Sequence, residues 1–335
     1  AAFVYRKGWD YPKMIEVFKG KELDEIVGAG TSWDIYSSEI KDLAKLLFKP
    51  LKKYIDKGDV IYWVPSGDLH KISVESLLMQ AAPDADLTVR QLSSARMIVE
   101  NKYESDMHSA VLYGGLEYSG GDSSRFDELP ESYEEVCLVK DILEGADCDV
   151  RILDGLAGTE QSFVEYSNRS PELLHFSTHG FYYSSNEAES VNALSGFNNA
   201  MFLSGLILSG GNNEWTGTNL IYDGTGGVLT ADDIAKVDLS GTRLVVLSAC
   251  ETAQGEVTAE GVYGLQRAFK KAGVNEIVMT LWHVNDIVSK HFMAEFYTGL
   301  VENDFKTELA LMHAKKTLRD AGYSPYYWAG YVLLD

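Results

Sequence analysis

Two residues able to act together as a nucleophile and an acid lie at the ends of two apolar segments. Cys250 ends a run of leucine, valine and small residues that starts at Arg243, and His179 ends a similar run that starts at Leu173 and continues into Gly180. A cysteine attacks a carbonyl carbon as its thiolate, and a neighbouring histidine favours that form and protonates the leaving group. Because 71 residues separate the pair, only the fold brings the two side chains together.

The two apolar runs have the length and composition of buried strands, and loops that leave the carboxyl ends of parallel strands form the crevice where α/β proteins place their chemistry. The alternation of strands and helices along the chain predicts an α/β fold with a mostly parallel sheet covered by helices on both faces. The predicted elements, in chain order, are helix 37–56, strand 59–64, helix 72–80, strand 110–115, a helix from residue 130, strand 148–153, a helix from residue 159, the strand ending at 179, a helix after 227, the strand ending at 250, helix 259–272, strand 276–282, helices 286–302 and 304–321, and strand 330–334.

The chain divides at changes of pattern. Residues 1–35 are mixed and poorly periodic, and we interpret them as a lead-in or linker. Residues 36–125 form a first β/α half that ends in a glycine- and serine-rich break, and residues 126–335 form a second half that contains both His179 and Cys250. The segment 181–227 is too long for an ordinary connection and follows the histidine, so we expect it to form part of a cleft or a lid.

Charge and cysteine content restrict the partners and the compartment. The chain of 335 residues has a formal net charge of −21, which disfavours direct contact with nucleic acid or anionic membranes and suits basic partners or simple solubility. No apolar run approaches the roughly 18 residues needed for a membrane span. Three cysteines make no disulfide framework and favour a cytoplasmic location. No Cys-x-x-Cys or His-Glu-x-x-His spacing occurs, so we expect neither a metal nor another cofactor.

Two short motifs connect the chain to a known family. The segments Phe-Ser-Thr-His-Gly (176–180) and Val-Leu-Ser-Ala-Cys-Glu-Thr-Ala (246–253) resemble the two active-site motifs of CHAT-domain proteases, which are caspase-like cysteine peptidases of clan CD. The resemblance covers roughly residues 20–335. It extends to the segments 61–77, 201–211, 227–234, 261–282 and 326–334.

The resemblance implies a caspase-like fold with a degenerate, pseudo-caspase N-terminal half and a catalytic second half. It also implies a cysteine endopeptidase that cleaves a protein substrate with a Cys250/His179 dyad, in a prokaryotic defence or cell-death system. Such modules are often fused to tetratricopeptide (TPR) sensor regions, and we expect control by a regulatory partner, a ligand or self-cleavage in 181–227. The chain starts without methionine, which suggests a piece of something longer. The alternatives are a catalytically silent scaffold for protein interaction and a hydrolase of small amides or esters.

Several other residues have more ordinary interpretations. Gly180, which has no side chain to obstruct a substrate, and Cys250 are the expected backbone donors to the oxyanion of the tetrahedral intermediate. His175 lies four residues before His179, about 13 Å away in a strand, and is expected to be a core residue. His70 is expected to be structural, and Cys137 and Cys148 to be core thiols.

Substrate preference is predicted from two acidic residues. In related clan CD peptidases an aspartate in the region of Trp282–Asp286 contacts a basic side chain before the scissile bond, which makes Asp286 the first candidate for the specificity pocket and Glu260 the second. A carboxylate there would select Arg or Lys. The alternative is that Asp286 caps the helix starting there. The Ser-Ala-Cys-Glu-Thr sequence departs from the Gln-Ala-Cys-x-Gly of true caspases, which argues against aspartate specificity.

Overall fold

The computed structural model of the chain describes residues 1–27, 32–36, 40–82, 84–85, 87–92, 95–99, 106–119, 125–183, 200–216, 219–220, 226–249, 256–258 and 261–334. The strands are β1 (Ala2–Val4), β2 (Lys13–Ile15), β3 (Val60–Trp63), β4 (Thr88–Gln91), β5 (Ser109–Leu116), β6 (Asp149–Gly155), β7 (Leu173–Ser177), β8 (Gly180–Tyr182), β9 (Ser204–Ile207), β10 (Trp215–Thr216), β11 (Asn219–Leu220), β12 (Val228–Thr230), β13 (Leu244–Ser248), β14 (Glu256–Thr258), β15 (Gly261–Tyr263), β16 (Glu276–Thr280) and β17 (Tyr331–Leu334). The helices are α1 (Gly20–Val27), α2 (Ser32–Asp34), α3 (Ile40–Phe48), α4 (Val74–Ala81), α5 (Pro130–Glu144), α6 (Glu160–Ser167), α7 (Gly211–Glu214), α8 (Ala231–Ile234), α9 (Leu265–Ala272), α10 (Asp286–Glu302), α11 (Thr307–Asp320) and α12 (Pro325–Ala329).

Six of the described strands form the central sheet, in the order β17-β16-β13-β7-β5-β6. Neighbouring strands are parallel, except that β17 is antiparallel to β16. Every residue of β7 and β16 is buried, as are the first four residues of β13. A strand buried on both faces needs continuous apolar sequence, which explains why these runs do not alternate with polar residues. The predicted α/β fold with a mostly parallel sheet is confirmed.

Helices cover both faces of this sheet. Successive side chains of a strand point to opposite faces of the sheet. The contacts of His175 and Phe176 in β7 therefore identify the helices that cover each face. The His175 ring is hydrogen-bonded to Glu135 of α5 and Tyr297 of α10. The Phe176 ring contacts Phe163 of α6 and Phe269 of α9, at centroid distances of 6.1 and 6.2 Å. The pair α5 and α10 therefore covers one face, and α6 and α9 cover the other.

Local sequence signals start two of these helices where they were predicted. Pro130 is the first residue of α5, a position that needs no N–H donor and suits the fixed φ of proline. Thr159 caps α6 in a reciprocal arrangement with Ser162, each side chain accepting a hydrogen bond from the other residue's backbone N–H. Both boundaries agree with the sequence analysis.

The structure differs from the predicted elements around residues 259–272. The helix begins only at Leu265, and the preceding residues form β15, which pairs antiparallel with β14. Gly264, with a φ of 150°, separates β15 from the helix, and a residue with a Cβ rarely adopts that conformation. The lead-in 1–35 also contains structure, because β1 and β2 pair as an antiparallel hairpin ahead of α1.

The first third of the chain has a small sheet of its own, in which β3 and β4 are parallel. The strand β5, which the expected division assigns to the first half, lies in the central sheet between β7 and β6. Two ion pairs join this third to α11: Lys315 Nζ lies 2.5 Å from Glu75 Oε2 of α4, and Arg90 Nη2 of β4 lies 2.6 Å from Glu308 Oε1. No helix among the described residues is long and apolar enough to cross a bilayer.

Replacing Lys315 with methionine should destabilise the protein by about 3 kcal/mol, because the Lys315 side chain is completely buried and its loss leaves the Glu75 carboxylate without its counter-charge. Lys316→Met is the matched control, since Lys316 is exposed on the same helix and should change stability by less than about 0.5 kcal/mol. Chemical denaturation measures both. Equal midpoints for the two variants would show that the ion pair does not join the first third to α11 energetically.

Candidate active site

The strand that precedes His179 and the strand that precedes Cys250 lie side by side. The strands β7 and β13 are adjacent and parallel, and their last residues, Ser177 and Ser248, are register partners. His179 follows Ser177 by two positions, and Ala249 follows Ser248 by one. Of the predicted site residues, the structure places His179, Gly180 and Asp286, whereas Cys250 and Glu260 lie outside the described residues.

The ring of His179 is held by one hydrogen bond and two aromatic contacts. Its Nε2 atom lies 2.8 Å from the backbone oxygen of Asp127. A carbonyl oxygen only accepts, so Nε2 carries the hydrogen and Nδ1 of the neutral ring is the free acceptor. The rings of Tyr118 and Phe126 lie 5.0 and 5.3 Å from the imidazole, centroid to centroid. The imidazole is thereby fixed in one tautomer and one orientation.

Asn212 of α7 fixes the segment that contains the Asp127 carbonyl. Its Oδ1 atom accepts from the backbone N–H groups of Arg125 and Phe126, both at 2.9 Å, and its Nδ2 atom donates to the Phe126 oxygen at 2.9 Å. Asn212 lies in the long segment after His179, which the sequence analysis assigned to the cleft as a whole. The sequence signal available was only the Gly-Gly-Asn-Asn cluster at 210–213, which is equally typical of an exposed turn.

The surroundings of His179 determine its charge. Burial lowers the pKa of His179 below its usual 6.5, and the nearby His283 acts in the same direction. The hydrogen bond to the Asp127 carbonyl and the charges of Asp286 and Asp127 oppose this effect without reversing it. Near pH 7 the ring is therefore neutral, and Nδ1 is available to take a proton from an acid placed next to it.

The N–H of Gly180 is not used by the sheet it starts. In the antiparallel pair of β8 and β9, Gly180 lies opposite Leu206, and the Ile207 N–H donates to the His179 oxygen at 2.8 Å. That bond joins the residues flanking the Gly180–Leu206 pair, which makes the pair a non-hydrogen-bonded one. The Gly180 N–H consequently points away from β9.

A pocket of about 440 Å³, including its open mouth, lies at the carboxyl ends of β7, β13 and β16, under the N-terminal ends of α5 and α10. The exposed side chain of Asp286 lines it. Asn285 is the residue that caps α10, because its side chain accepts from the N–H groups of Ile287 and Val288. The interpretation of Asp286 as the cap is therefore wrong, because Asn285, one position earlier, has the extended backbone of a cap residue and Asp286 is the first residue of the helix.

The other histidines and cysteines have structural surroundings. His175 is completely buried and fully hydrogen-bonded, and His70 is buried, with a pKa lowered by that burial. Burial and then the charge of Glu172 raise the pKa of Cys148 to about 11, so its thiol is unreactive at neutral pH. Cys137 is only half-buried, which is less than expected for a core thiol. Within the described part of the chain, no group of three His, Cys, Asp or Glu side chains could hold a metal ion.

The chain matches the model of a known protein family and is similar to part of two curated proteins. The family model of the CHAT domain matches residues 38–334. Tetratricopeptide repeat protein 28 of Mus musculus and that of Homo sapiens are 39% and 38% identical to the chain over 109 residues, which are 32% of this chain and 4% of each relative. The chain thus aligns with only a small part of the length of these curated relatives.

Among solved structures, the Arg specific cysteine proteinase gingipain R superposes with a TM-score of 0.51 at 8% identity, over 93% of this chain and 68% of that one. At this identity the likeness is one of fold, and the fold is caspase-like. The family model, in contrast, spans both motif segments, all of the central sheet and its covering helices. The chain belongs to the CHAT domain family.

Proposed function

We propose that the protein is a cysteine endopeptidase in which Cys250 is the nucleophile and His179 the acid–base partner. One observation carries the proposal. The strands β7 and β13 end at the same level of the sheet, and His179 follows the first strand while Cys250 follows the second. Ala249 is described at that strand end, and the next Cα along a chain is only about 3.8 Å away. Neighbouring strands lie about 4.8 Å apart, which suits a direct contact between the two side chains.

The mechanism follows from the protonation state of His179. Nδ1 of the neutral ring accepts the thiol proton of Cys250, and the thiolate attacks the carbonyl carbon of the scissile peptide bond. As the tetrahedral intermediate collapses, the imidazolium returns the proton to the leaving amine, and an acyl-enzyme remains. Water, deprotonated by the same nitrogen, then hydrolyses the thioester and regenerates the thiol. Throughout, the Nε2–H of His179 donates to the Asp127 carbonyl, which stabilises the positive ring.

The oxyanion of the tetrahedral intermediate needs hydrogen-bond donors that take no part in the proton transfer, and backbone N–H groups meet this need. The Gly180 N–H, which points away from β9, and the backbone N–H of Cys250 are the proposed donors. Each such donor typically contributes a factor of about 100 to 1000 to the rate.

The residue before the scissile bond is proposed to be basic. Asp286 lines the pocket at the strand ends, and because Asn285 caps the helix, the Asp286 carboxylate is available to a ligand. A carboxylate in a pocket binds an arginine or lysine side chain through charge-assisted hydrogen bonds. Glu260, the second candidate, lies outside the described residues and remains a prediction.

Asp286→Asn is expected to lower kcat/KM for peptides cut after Arg or Lys by roughly tenfold to a hundredfold, the value of one charge-assisted hydrogen bond. Asn285→Ala is the matched control: it removes the helix cap, costs about 1 kcal/mol of stability, and should leave the preference for a basic residue unchanged. Initial rates with paired Arg and citrulline peptides measure the effect. An unchanged Arg-to-citrulline ratio in Asp286→Asn would remove Asp286 from the specificity pocket.

The biological setting is part of the same proposal. We expect a cytoplasmic protein of a prokaryotic defence or cell-death system, controlled by a partner, a ligand or a TPR-type region. The similarity to proteins named for tetratricopeptide repeats supports such an association. The same similarity favours the alternative, a CHAT scaffold that binds partners without turnover.

A peptide acyloxymethyl ketone with arginine next to the reactive group distinguishes enzyme from scaffold, because it alkylates a cysteine only when an adjacent histidine activates it. Intact-mass spectrometry should show one adduct on the wild-type protein and none on Cys250→Ala. Mapping should locate the adduct at Cys250, with Cys137 and Cys148 unmodified. An unlabelled wild-type protein, or labelling that persists in Cys250→Ala, would overturn the peptidase proposal in favour of the scaffold.

A further inference from the structure

The pocket beside the candidate dyad contains a buried carboxylate that the mechanism above does not use. Glu135 lies on α5, its side chain is 3% exposed, and it lines the same pocket as Asp286. Its Oε1 atom lies 2.9 Å from Nε2 of His175. Among the described residues its second oxygen, Oε2, has no hydrogen-bond partner. One acceptor atom of a buried carboxylate is thus left for whatever occupies the cavity.

Hydrogen bonds behind Glu135 orient its carboxylate. Burial, and then the charge of Glu135, raise the pKa of Tyr297 well above its usual value, so the hydroxyl retains its proton. It lies 3.0 Å from Nδ1 of His175, and since a carboxylate only accepts, the Nε2–H on the other side of the ring donates to Glu135. These two hydrogen bonds fix the orientation of the carboxylate and leave Oε2 unused.

A second buried group points to a ligand in the same place. Ser177 is 4% exposed, lines the pocket, and has no hydrogen-bond partner for its hydroxyl within the described part of the chain. Lys290 of α10 is already engaged by Glu131 and Glu134, with 2.5 Å between charged atoms in both pairs. A buried carboxylate oxygen without a hydrogen-bond donor costs free energy. The pocket therefore suits a ligand group that brings several N–H donors.

We propose that Glu135 and Asp286 together form a two-carboxylate pocket that binds the guanidinium group of an arginine residue before the scissile bond, with Ser177 as a further acceptor. This inference rests on the peptidase function proposed above and specifies its substrate. A guanidinium group presents five N–H donors in a planar fork, whereas an ammonium group is a compact point charge. Glu135, Asp286 and Ser177 place acceptor atoms on three different elements, α5, α10 and β7. Several N–H groups of one planar guanidinium could reach them together, so we expect arginine to be preferred to lysine.

The first test measures binding without turnover. In a Cys250→Ala background, agmatine, which carries the guanidinium group of arginine, is titrated by NMR next to its neutral isostere N-carbamoylputrescine. Agmatine should bind, and Glu135→Gln should weaken it at least tenfold with no effect on the neutral compound. Glu144→Gln, which removes a carboxylate from the opposite end of α5, is the matched control and should change neither.

A second variant addresses the possibility that Glu135→Gln perturbs folding. Ser177→Ala removes a hydroxyl that has no protein partner among the described residues, so it should leave the melting temperature unchanged. It should weaken agmatine binding severalfold.

Turnover separates this inference from the general function. In protein that retains Cys250, kcat/KM is measured for a peptide with arginine before the scissile bond and for its citrulline counterpart. The ratio of the two values should be at least tenfold lower in Glu135→Gln than in the wild type. Cleavage after arginine with an unchanged ratio in Glu135→Gln would overturn the inference and leave the peptidase intact. Agmatine binding that depends on Glu135, in a wild-type protein that cleaves nothing, would support the pocket and refute the peptidase. No agmatine binding to the Cys250→Ala protein would refute the pocket.

Discussion

Replacing Cys250 with alanine is expected to lower kcat/KM for peptide cleavage by at least about 1000-fold, because it removes the proposed nucleophile. The neighbouring Thr178 hydroxyl is not a substitute nucleophile, because it is hydrogen-bonded to Tyr118 and to the Ile207 oxygen. Residual activity would come from substrate positioning and the oxyanion donors alone. A fluorogenic peptide assay with wild-type and variant protein measures the loss.

Cys137→Ala is the matched control for the Cys250 variant. Cys137 is a half-buried free thiol on α5, and its removal should leave kcat/KM within about twofold of the wild type. Comparable activity in wild type and Cys250→Ala would exclude a Cys250 thioester, whereas equal losses in both cysteine variants would indicate a general effect of thiol removal.

The second large effect is expected for His179→Gln, which should reduce kcat/KM by about 100- to 10,000-fold, the usual contribution of a positioned acid–base group. Since burial lowers the pKa of His179 below 6.5, the wild-type profile of kcat/KM should be flat near pH 7 and fall only below pH 6.5, where the ring becomes protonated and no longer accepts the thiol proton. The variant should lack that acidic limb.

His313→Gln is the control for the histidine variant. His313 lies on α11, is half-buried, and pairs with Glu295 on α10 at 3.2 Å. Its variant should retain the wild-type rate and the acidic limb. An acidic limb that persists in His179→Gln would assign the titration to another group and remove His179 from the mechanism.

The arrangement of the two strand ends was predictable because it depends on residue types and on one rule of sheet geometry. Two apolar runs, one ending before His179 and the other before Cys250, become neighbours in a parallel sheet, and parallel strands align their carboxyl ends. The structure confirms the strands, their adjacency and the covering helices. The dyad itself stays a prediction, since Cys250 lies outside the described residues.

The groups that orient His179 and line the pocket could not be predicted in the same way. The partner of His179 is a backbone carbonyl, Asp127, 52 positions away, and every residue has such a carbonyl. Glu135 follows another glutamate on a predicted helix and looks like part of a solvated face. In the folded chain the Glu135 side chain is buried and hydrogen-bonded to His175, a contact between residues 40 positions apart that the sequence does not reveal.

The paired strands β14 and β15 were missed for a different reason. The two strands have three residues each, too few for a period of two to be recognised, and the glycines around them resemble an ordinary approach to a helix. Asp286 shows the same limitation at one residue, because Asn285 and Asp286 are both good helix caps and the sequence does not decide which of the two takes the cap position.

The most direct test is cleavage of a pooled peptide library by the wild-type protein, Cys250→Ala and His179→Ala, with mass spectrometry of the residue before each cut. The account predicts cuts after arginine, fewer after lysine, by the wild type, and none by either variant. Cuts that persist in Cys250→Ala, or a wild-type protein that leaves the library intact, would contradict it.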